Sequence, residues 1–101
     1  MDAPGYVIAN YKVTDPELYA DYRASSGSTT DGFDVHPLVV SHESRAMDGD
    51  APGETTIVLK FSSVAEAHAW YESDAYQAVL GKRVDSTDGF LVIVPGFVMP
   101  S

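Results

Sequence analysis

Apolar residues recur along this chain with two different periods, and the changes between them mark out its elements. Residues Tyr6 to Val13 are mostly β-branched, aromatic or small, and read as a strand. Tyr6, Ile8 and Asn10 then share one face, and Val7, Ala9, Tyr11 and Val13 the other. Both faces are largely apolar, so both need a cover. Thr14-Asp15-Pro16-Glu17 stops this strand and opens a helix: Thr14 or Asp15 caps it, Pro16 suits its first turn, and Glu17 completes a capping box with Thr14. Leu18 and Tyr22 stack on one helical face, and the small polar stretch from Ser25 to Gly32 ends the helix. A second strand is predicted from Phe33 to Ser44, centred on Leu38-Val39-Val40. Pro37, which has no donor for a ladder, belongs there on an edge or at a bulge.

The stretch from Arg45 to Gly53 holds Asp48-Gly49-Asp50 and Pro52-Gly53 and reads as a turn or loop. Beyond it Ile57, Leu59 and Phe61 alternate with Thr56, Val58 and Lys60 in a third strand, Thr55 to Phe61. Ser63-Val64-Ala65-Glu66 is a second capping box. It opens a helix with Val64, Ala67 and Tyr71 on one face. Ser73-Asp74 restarts the helix, in which Tyr76, Val79, Leu80 and Val84 form an apolar stripe. Phe90 to Val94 is a continuous apolar run of the kind buried on both faces, ended by Pro95-Gly96.

The order is β-α-β-β-α-β with the second helix broken in two. It predicts an α+β, ferredoxin-like domain spanning residues 1–101: a four-stranded antiparallel sheet with helices on one face. The other face stays bare, yet the strands carry apolar residues in both registers, as in Val7/Ile8, Leu38/Val39, Ile57/Val58 and Val92/Ile93. A monomer rarely exposes such a patch, and a two-fold pairing of sheets would close it. A homodimer is therefore expected. The space between its sheets would suit a small apolar or aromatic ligand, and the tail Phe97-Val98-Met99-Pro100 would reach toward the other subunit.

Charge narrows the partners. Fifteen Asp and Glu stand against 6 Lys and Arg, a formal net charge of -9, which phosphate backbones and anionic membranes repel. With no cysteine, the chain has no disulfide, thiolate nucleophile or sulfur-ligated metal. The start, Met1-Asp2-Ala3-Pro4, lacks the basic flank and apolar core of a signal peptide, and no apolar run is long enough to span a bilayer. A cytoplasmic protein without membrane or nucleic-acid partners is expected.

In this order of elements, Gly5-Tyr6-Val7-Ile8, Val13-Thr14-Asp15-Pro16-Glu17 with Tyr19, Ala69-Trp70-Tyr71-Glu72-Ser73 with Tyr76-Gln77, and Leu91-Val92-Ile93-Val94 before Gly96 resemble the DUF1330 family. These are small dimeric α+β barrel proteins of unknown function. The resemblance runs from about Gly5 to Gly96. Typical members carry Arg-Gly-Gly in the second strand, where this chain has Val40-Ser41-His42, and Glu before the last glycine, where it has Pro95. A site built on that arginine is absent here. The wider superfamily implies cofactor-free oxygenases, isomerases or decarboxylases of small ring compounds.

Candidate chemistry starts from the histidines. His36 and His42 share strand parity and so a face, but six residues of strand separate them by about 20 Å, too far for one metal ion. No metal site is expected, and no cofactor, since phosphate loops, dinucleotide fingerprints and nucleophile elbows are all missing. His42 is the candidate acid–base residue and Arg83 the candidate anchor for an anionic substrate. The alternative makes His42 a bridge at a strand end and pairs Arg83 with a surface acid such as Asp85. Asn10, Tyr22, His36, Trp70 and Tyr76 are candidate ligand contacts. For the aromatic ones the alternative is a core role with a satisfied polar tip, and for Asn10 a bond to a neighbouring strand.

Two functions remain open from sequence: a cofactor-free small-molecule enzyme using the cavity between the sheet and its dimer partner, and a non-catalytic ligand-binding or regulatory module. An RNA-binding βαββαβ domain is disfavoured by the acidic charge and by a third strand without the basic and aromatic motif.

Overall fold

Short-range caps set the helices. Asp15 Oδ1 accepts from the Leu18 amide at 3.2 Å with Pro16 in the first turn, so Asp15 and not the Thr14–Glu17 box starts α1 (Pro16–Ser26). Ser63 Oγ accepts from the Glu66 amide at 3.0 Å and starts α2 (Val64–Glu72). The Glu66 carboxylate turns away from its own helix and accepts from the Ser62 hydroxyl and the Asp34 amide, which hold it below the usual carboxylate range. Ser73 makes the predicted break. Its amide closes α2 on the Trp70 carbonyl at 3.1 Å, while its hydroxyl caps α3 (Asp74–Ser86) by accepting from the Tyr76 amide at 3.2 Å.

The computed structural model describes residues 3–100. Its strands are β1 (Gly5–Val13), β2 (Val35–Ser41), β3 (Thr55–Phe61) and β4 (Thr87–Pro95), with a short 3-10 helix at Gly27–Thr30 after α1. They form one antiparallel sheet in the order β2-β3-β1-β4, the ferredoxin-like α+β arrangement. The second strand is shorter than Phe33 to Ser44. The fourth starts three residues before Phe90, because α3 runs into it without a loop and Thr87 caps the helix on the Arg83 carbonyl at 2.7 Å.

Register sorts the side chains into rows that cross all four strands. On the helix side lie Pro37–Leu59–Val7–Ile93 and Val40–Ile57–Ala9–Leu91. Phe61, Val7, Ala67, Trp70 and Tyr76 make the centre of the core beneath α2 and α3. On the open side the row Val39–Val58–Ile8–Val92 is wholly apolar, with Ser41–Thr56–Asn10–Phe90 on one flank and His36–Lys60–Tyr6–Val94 on the other. The last strand is thus not buried on both faces: Leu91 and Ile93 are half-buried, whereas Phe90 is 43% and Val92 41% exposed. Val84 likewise faces solvent and not the stripe expected with Tyr76.

One irregularity resets the phase of β2. Pro37 pairs with Leu59 but Val39 pairs with Val58, so Leu38 is an extra residue, a β-bulge on the edge strand. A single inserted residue turns every later side chain to the opposite face. His36, before the bulge, lies in an open-side row. His42, after it, bonds to Thr55 on the helix side. The two histidines do not share a face as simple parity predicts.

Gly5 lies where β1 passes under the start of α2, and a Cβ there would stand inside contact distance of the Ser63 carbonyl and the Val64 Cα. Neither backbone atom can yield without losing the Ser63 cap. Gly5→Ala is expected to destabilise the fold by about 2 kcal/mol or more, read as a lowered urea midpoint with an unchanged slope.

Candidate functional site

Helix α1 packs on α3 and reaches the sheet through its tyrosines. The Tyr19 ring meets Tyr11 edge-on at 5.7 Å and stacks on Tyr22 at 6.0 Å, and Tyr22 meets Tyr76 at 6.5 Å. These long side chains act as spacers, and they leave a cavity of about 250 Å³ between α1 and the sheet. Its sheet wall is Val7, Ala9, Ile57, Leu59 and Leu91, and its rim Pro37 and Val40 of the edge strand. Tyr11, Tyr19, Tyr22, Trp70, Arg23 and Arg83 supply polar groups, with Ser26 and Thr30 beside them. The cavity therefore lies on the helix side of the sheet, within one chain. The space expected between the sheet and a dimer partner is on the other face.

Arg83 is the unusual member. It is only 8% exposed, and among the described residues no carboxylate lies within salt-bridge distance of it. The pairing with Asp85 is not made. Its Nε donates to the Tyr76 hydroxyl at 3.2 Å, and that hydroxyl shares a 3.0 Å hydrogen bond with Tyr22. Burial disfavours the guanidinium charge, but Tyr76 and then Tyr22 outweigh this and raise its pKa, so the cation persists. No buried polar side-chain atom among the described residues lacks a partner. The terminal nitrogens of Arg83 have no hydrogen-bond acceptor among the described residues and so keep some accessible surface, and Arg83 is one of the residues that line the cavity.

The other predicted contacts divide. Tyr22 and Trp70 line the cavity, and the Trp70 indole donates to Thr29 Oγ1 at 3.0 Å. Tyr76 lies just behind the wall, fully buried, and holds Arg83. His36 is elsewhere: it is exposed on the far side of the sheet and 3.1 Å from Asp34. Asn10 is also on the open face. Its amide donates to the Gly53 carbonyl and accepts from the Gly53 amide, each at 3.0 Å, and donates to Thr56 Oγ1 at 3.1 Å. That amide pins the β2–β3 loop to β1, with both N–H donors used and the oxygen accepting one hydrogen bond. Its partner is a bond to the neighbouring strand, as the structural alternative expected.

His42 stands outside the cavity wall with both ring nitrogens engaged. Arg23 donates to Nε2 at 2.7 Å, and Nδ1 bonds to Thr55 Oγ1 at 2.9 Å. Both His42 nitrogens are thus engaged by protein partners, and His42 is not among the residues lining the cavity. The residues that sequence reasoning missed are Arg23, Tyr11 and Tyr19. Arg23 carried a signal, since it follows Tyr22 on α1, but only the tertiary structure places it beside His42. Among the described residues no three His, Asp or Glu side chains converge as a metal site would need, and no helix is long and apolar enough to cross a membrane.

Burial raises the Tyr11 hydroxyl well above the usual tyrosine value of 10.0, and its 2.8 Å bond to Tyr19 adds to this. Burial and then Tyr76 raise Tyr22 in the same way. In the fold both phenols keep protons that the unfolded chain releases, so unfolding at alkaline pH releases protons. Stability is expected to be unaffected by these groups below the ordinary value of 10.0 and to fall as pH rises beyond it. Denaturant melts from neutrality to about pH 11 should show that fall, and Tyr22→Phe should make it shallower.

A model of the family described as a domain of unknown function, DUF1330, matches residues 4–97. No curated protein matches the chain. A solved protein of unknown function from Rhodopseudomonas palustris is similar with a TM-score of 0.75 at 13% identity, over 98% of this chain and 86% of that one. A conserved protein from Methanosarcina mazei Go1 aligns with a TM-score of 0.58 at 13% identity, over 93% and 91%. A putative antibiotic biosynthesis monooxygenase from Caulobacter crescentus CB15 aligns with a TM-score of 0.55 at 15% identity, over 98% and 92%. At these identities the likeness is one of fold. The match over residues 4–97 identifies the family: the chain belongs to DUF1330, a domain of unknown function.

Proposed function

We propose that this protein binds a small ring compound carrying a carboxylate or another anionic oxygen, in the cavity between α1 and the sheet. The observation that carries this reading is Arg83, a buried arginine with no carboxylate within salt-bridge distance among the described residues, which lines a mainly apolar cavity. A buried cation without a counter-ion is costly, and an incoming anion supplies the missing partner. Tyr76 fixes the fork, Tyr22 and Trp70 flank it, and the aliphatic sheet wall accepts the body of the ligand. Apolar cavities of ~150 Å³ hold a benzene ring, so about 250 Å³ suits one ring with short substituents.

Arg83 and the phenols would also stabilise an oxyanion that develops during reaction. This favours a cofactor-free enzyme whose intermediate is an enolate, phenolate or carboxylate. The chain is similar in fold to a putative antibiotic biosynthesis monooxygenase, which is in keeping with small-molecule chemistry. The engagement of both His42 nitrogens favours the second reading, a binder without turnover. Calorimetric titration with benzoate, phenol-type acids and their neutral amides tests the shared part. Anions should bind better than amides, and Arg83→Met should weaken the anions about ten- to a hundredfold while leaving the amides little changed. Equal binding of anion and amide would sink the reading. Product formation on incubation then separates enzyme from binder.

The same proposal includes a two-fold homodimer that covers the open face. The apolar row Val39–Val58–Ile8–Val92 crosses the whole sheet, and Phe97 beyond β4 is 81% exposed. A patch of this kind is closed economically by a second copy of itself. Sedimentation should give a dimer for the wild type and a folded monomer for Val92→Glu. A monomeric wild type would remove the argument.

A further inference from the structure

We infer that Arg23, propped by His42, is a second anchor in the same cavity, so that the preferred ligand carries two oxygen acceptors and not one. The inference rests on the anion reading above and specifies its substrate class. Two of the 6 basic residues of a chain with net charge -9 line this one cavity, and no Asp or Glu lines it. Like Arg83, Arg23 has no carboxylate within salt-bridge distance among the described residues. In a protein with 15 acidic side chains, two such arginines around one apolar space are a selective arrangement.

Arg23 is exposed, and its contact with His42 orients it. A guanidinium only donates, so the 2.7 Å contact makes His42 Nε2 the acceptor and puts the ring proton on Nδ1. Nδ1 then donates to Thr55 Oγ1 at 2.9 Å, and Thr55 is buried opposite Tyr11 in the sheet. The Tyr19 ring meets the imidazole edge-on at 6.2 Å. Sheet, α1 and imidazole together hold one nitrogen of Arg23 and leave the rest of its fork for a ligand. Surface arginines are usually mobile, and a propped one presents its donors with less ordering left to be done on binding. His42 in this scheme is a positioning residue. It acts on the ligand through Arg23, and the Leu38 bulge is what brings it to this side of the sheet.

The probes are ring compounds that differ only in the second group: benzoate against 4-hydroxybenzoate, benzene-1,3-dicarboxylate and benzene-1,4-dicarboxylate, titrated calorimetrically into the full chain. At least one two-acceptor compound should bind about fivefold or more tighter than benzoate. Arg23→Met should bring that ratio to about one. His42→Leu should lower it similarly, whereas His42→Gln, whose amide oxygen can still accept from Arg23, should restore most of it. A merely structural histidine would not be rescued in the ratio. If benzoate binds through Arg83 but no second acceptor improves on it, the Arg23 inference fails and the anion reading stands. If benzoate binding does not depend on Arg83, the anion reading fails and takes this inference with it.

Discussion

The Tyr76 hydroxyl joins α1, α3 and the buried arginine through one oxygen. The residue is fully buried, its ring 4.2 Å from Trp70, and its oxygen meets both Arg83 on its own helix and Tyr22 on α1. Helix α1 has little direct purchase on the sheet and is held through α3 and through its tyrosines. A phenol between two helices lets an arginine be buried without a carboxylate, because the hydroxyl satisfies one donor while the others keep some accessible surface. Had a carboxylate occupied the position of that hydroxyl, the charge would be neutralised within the protein and the cavity would have no reason to receive an anion.

The cavity itself follows from side-chain length. Small residues in the sheet, above all Ala9, face long tyrosines on α1, so the backbones stay apart while the ring edges meet. Interiors are normally close-packed, and an unfilled space of this kind on the edge-strand side of the core marks a place where packing was not the main requirement. The core beneath α2 and α3 contrasts with it: Phe61, Val7, Ala67, Trp70 and Tyr76 are buried together there, with Val7 and Trp70 also forming part of the cavity wall.

The two faces of the sheet make different demands. The helix side divides into a packed half and a cavity half, and the open side carries an apolar row between two mixed ones. The loop that returns from β2 to β3 covers part of the open side through Asn10 and Gly53. Asn10, a candidate contact by type, spends both of its N–H donors in holding the chain to itself.

Much of this was legible in the sequence where the cause is local. Asp15-Pro16, Ser63 and Ser73 start or break helices through bonds that span three residues, and their side chains need no distant partner to form them. The alternation in β1 and β3 assigns the faces by geometry alone, and the family likeness seen in Gly5-Tyr6-Val7-Ile8 and Ala69-Trp70-Tyr71 agrees with the match over residues 4–97. Tertiary structure decided the rest. Asn10 finds its partner 43 residues away, Trp70 finds Thr29 at a separation of 41, and Tyr22 meets Tyr76 at 54. Pro37 announced an edge or a bulge, but the one-residue slip at Leu38 that moves His42 to the helix side exists only relative to β3. That Arg83 is buried beside a phenol, with no carboxylate of the described residues within salt-bridge distance, is likewise a statement about where other chain segments lie. Residue type limits what a side chain can do, and its neighbours across the fold determine which of those things it does.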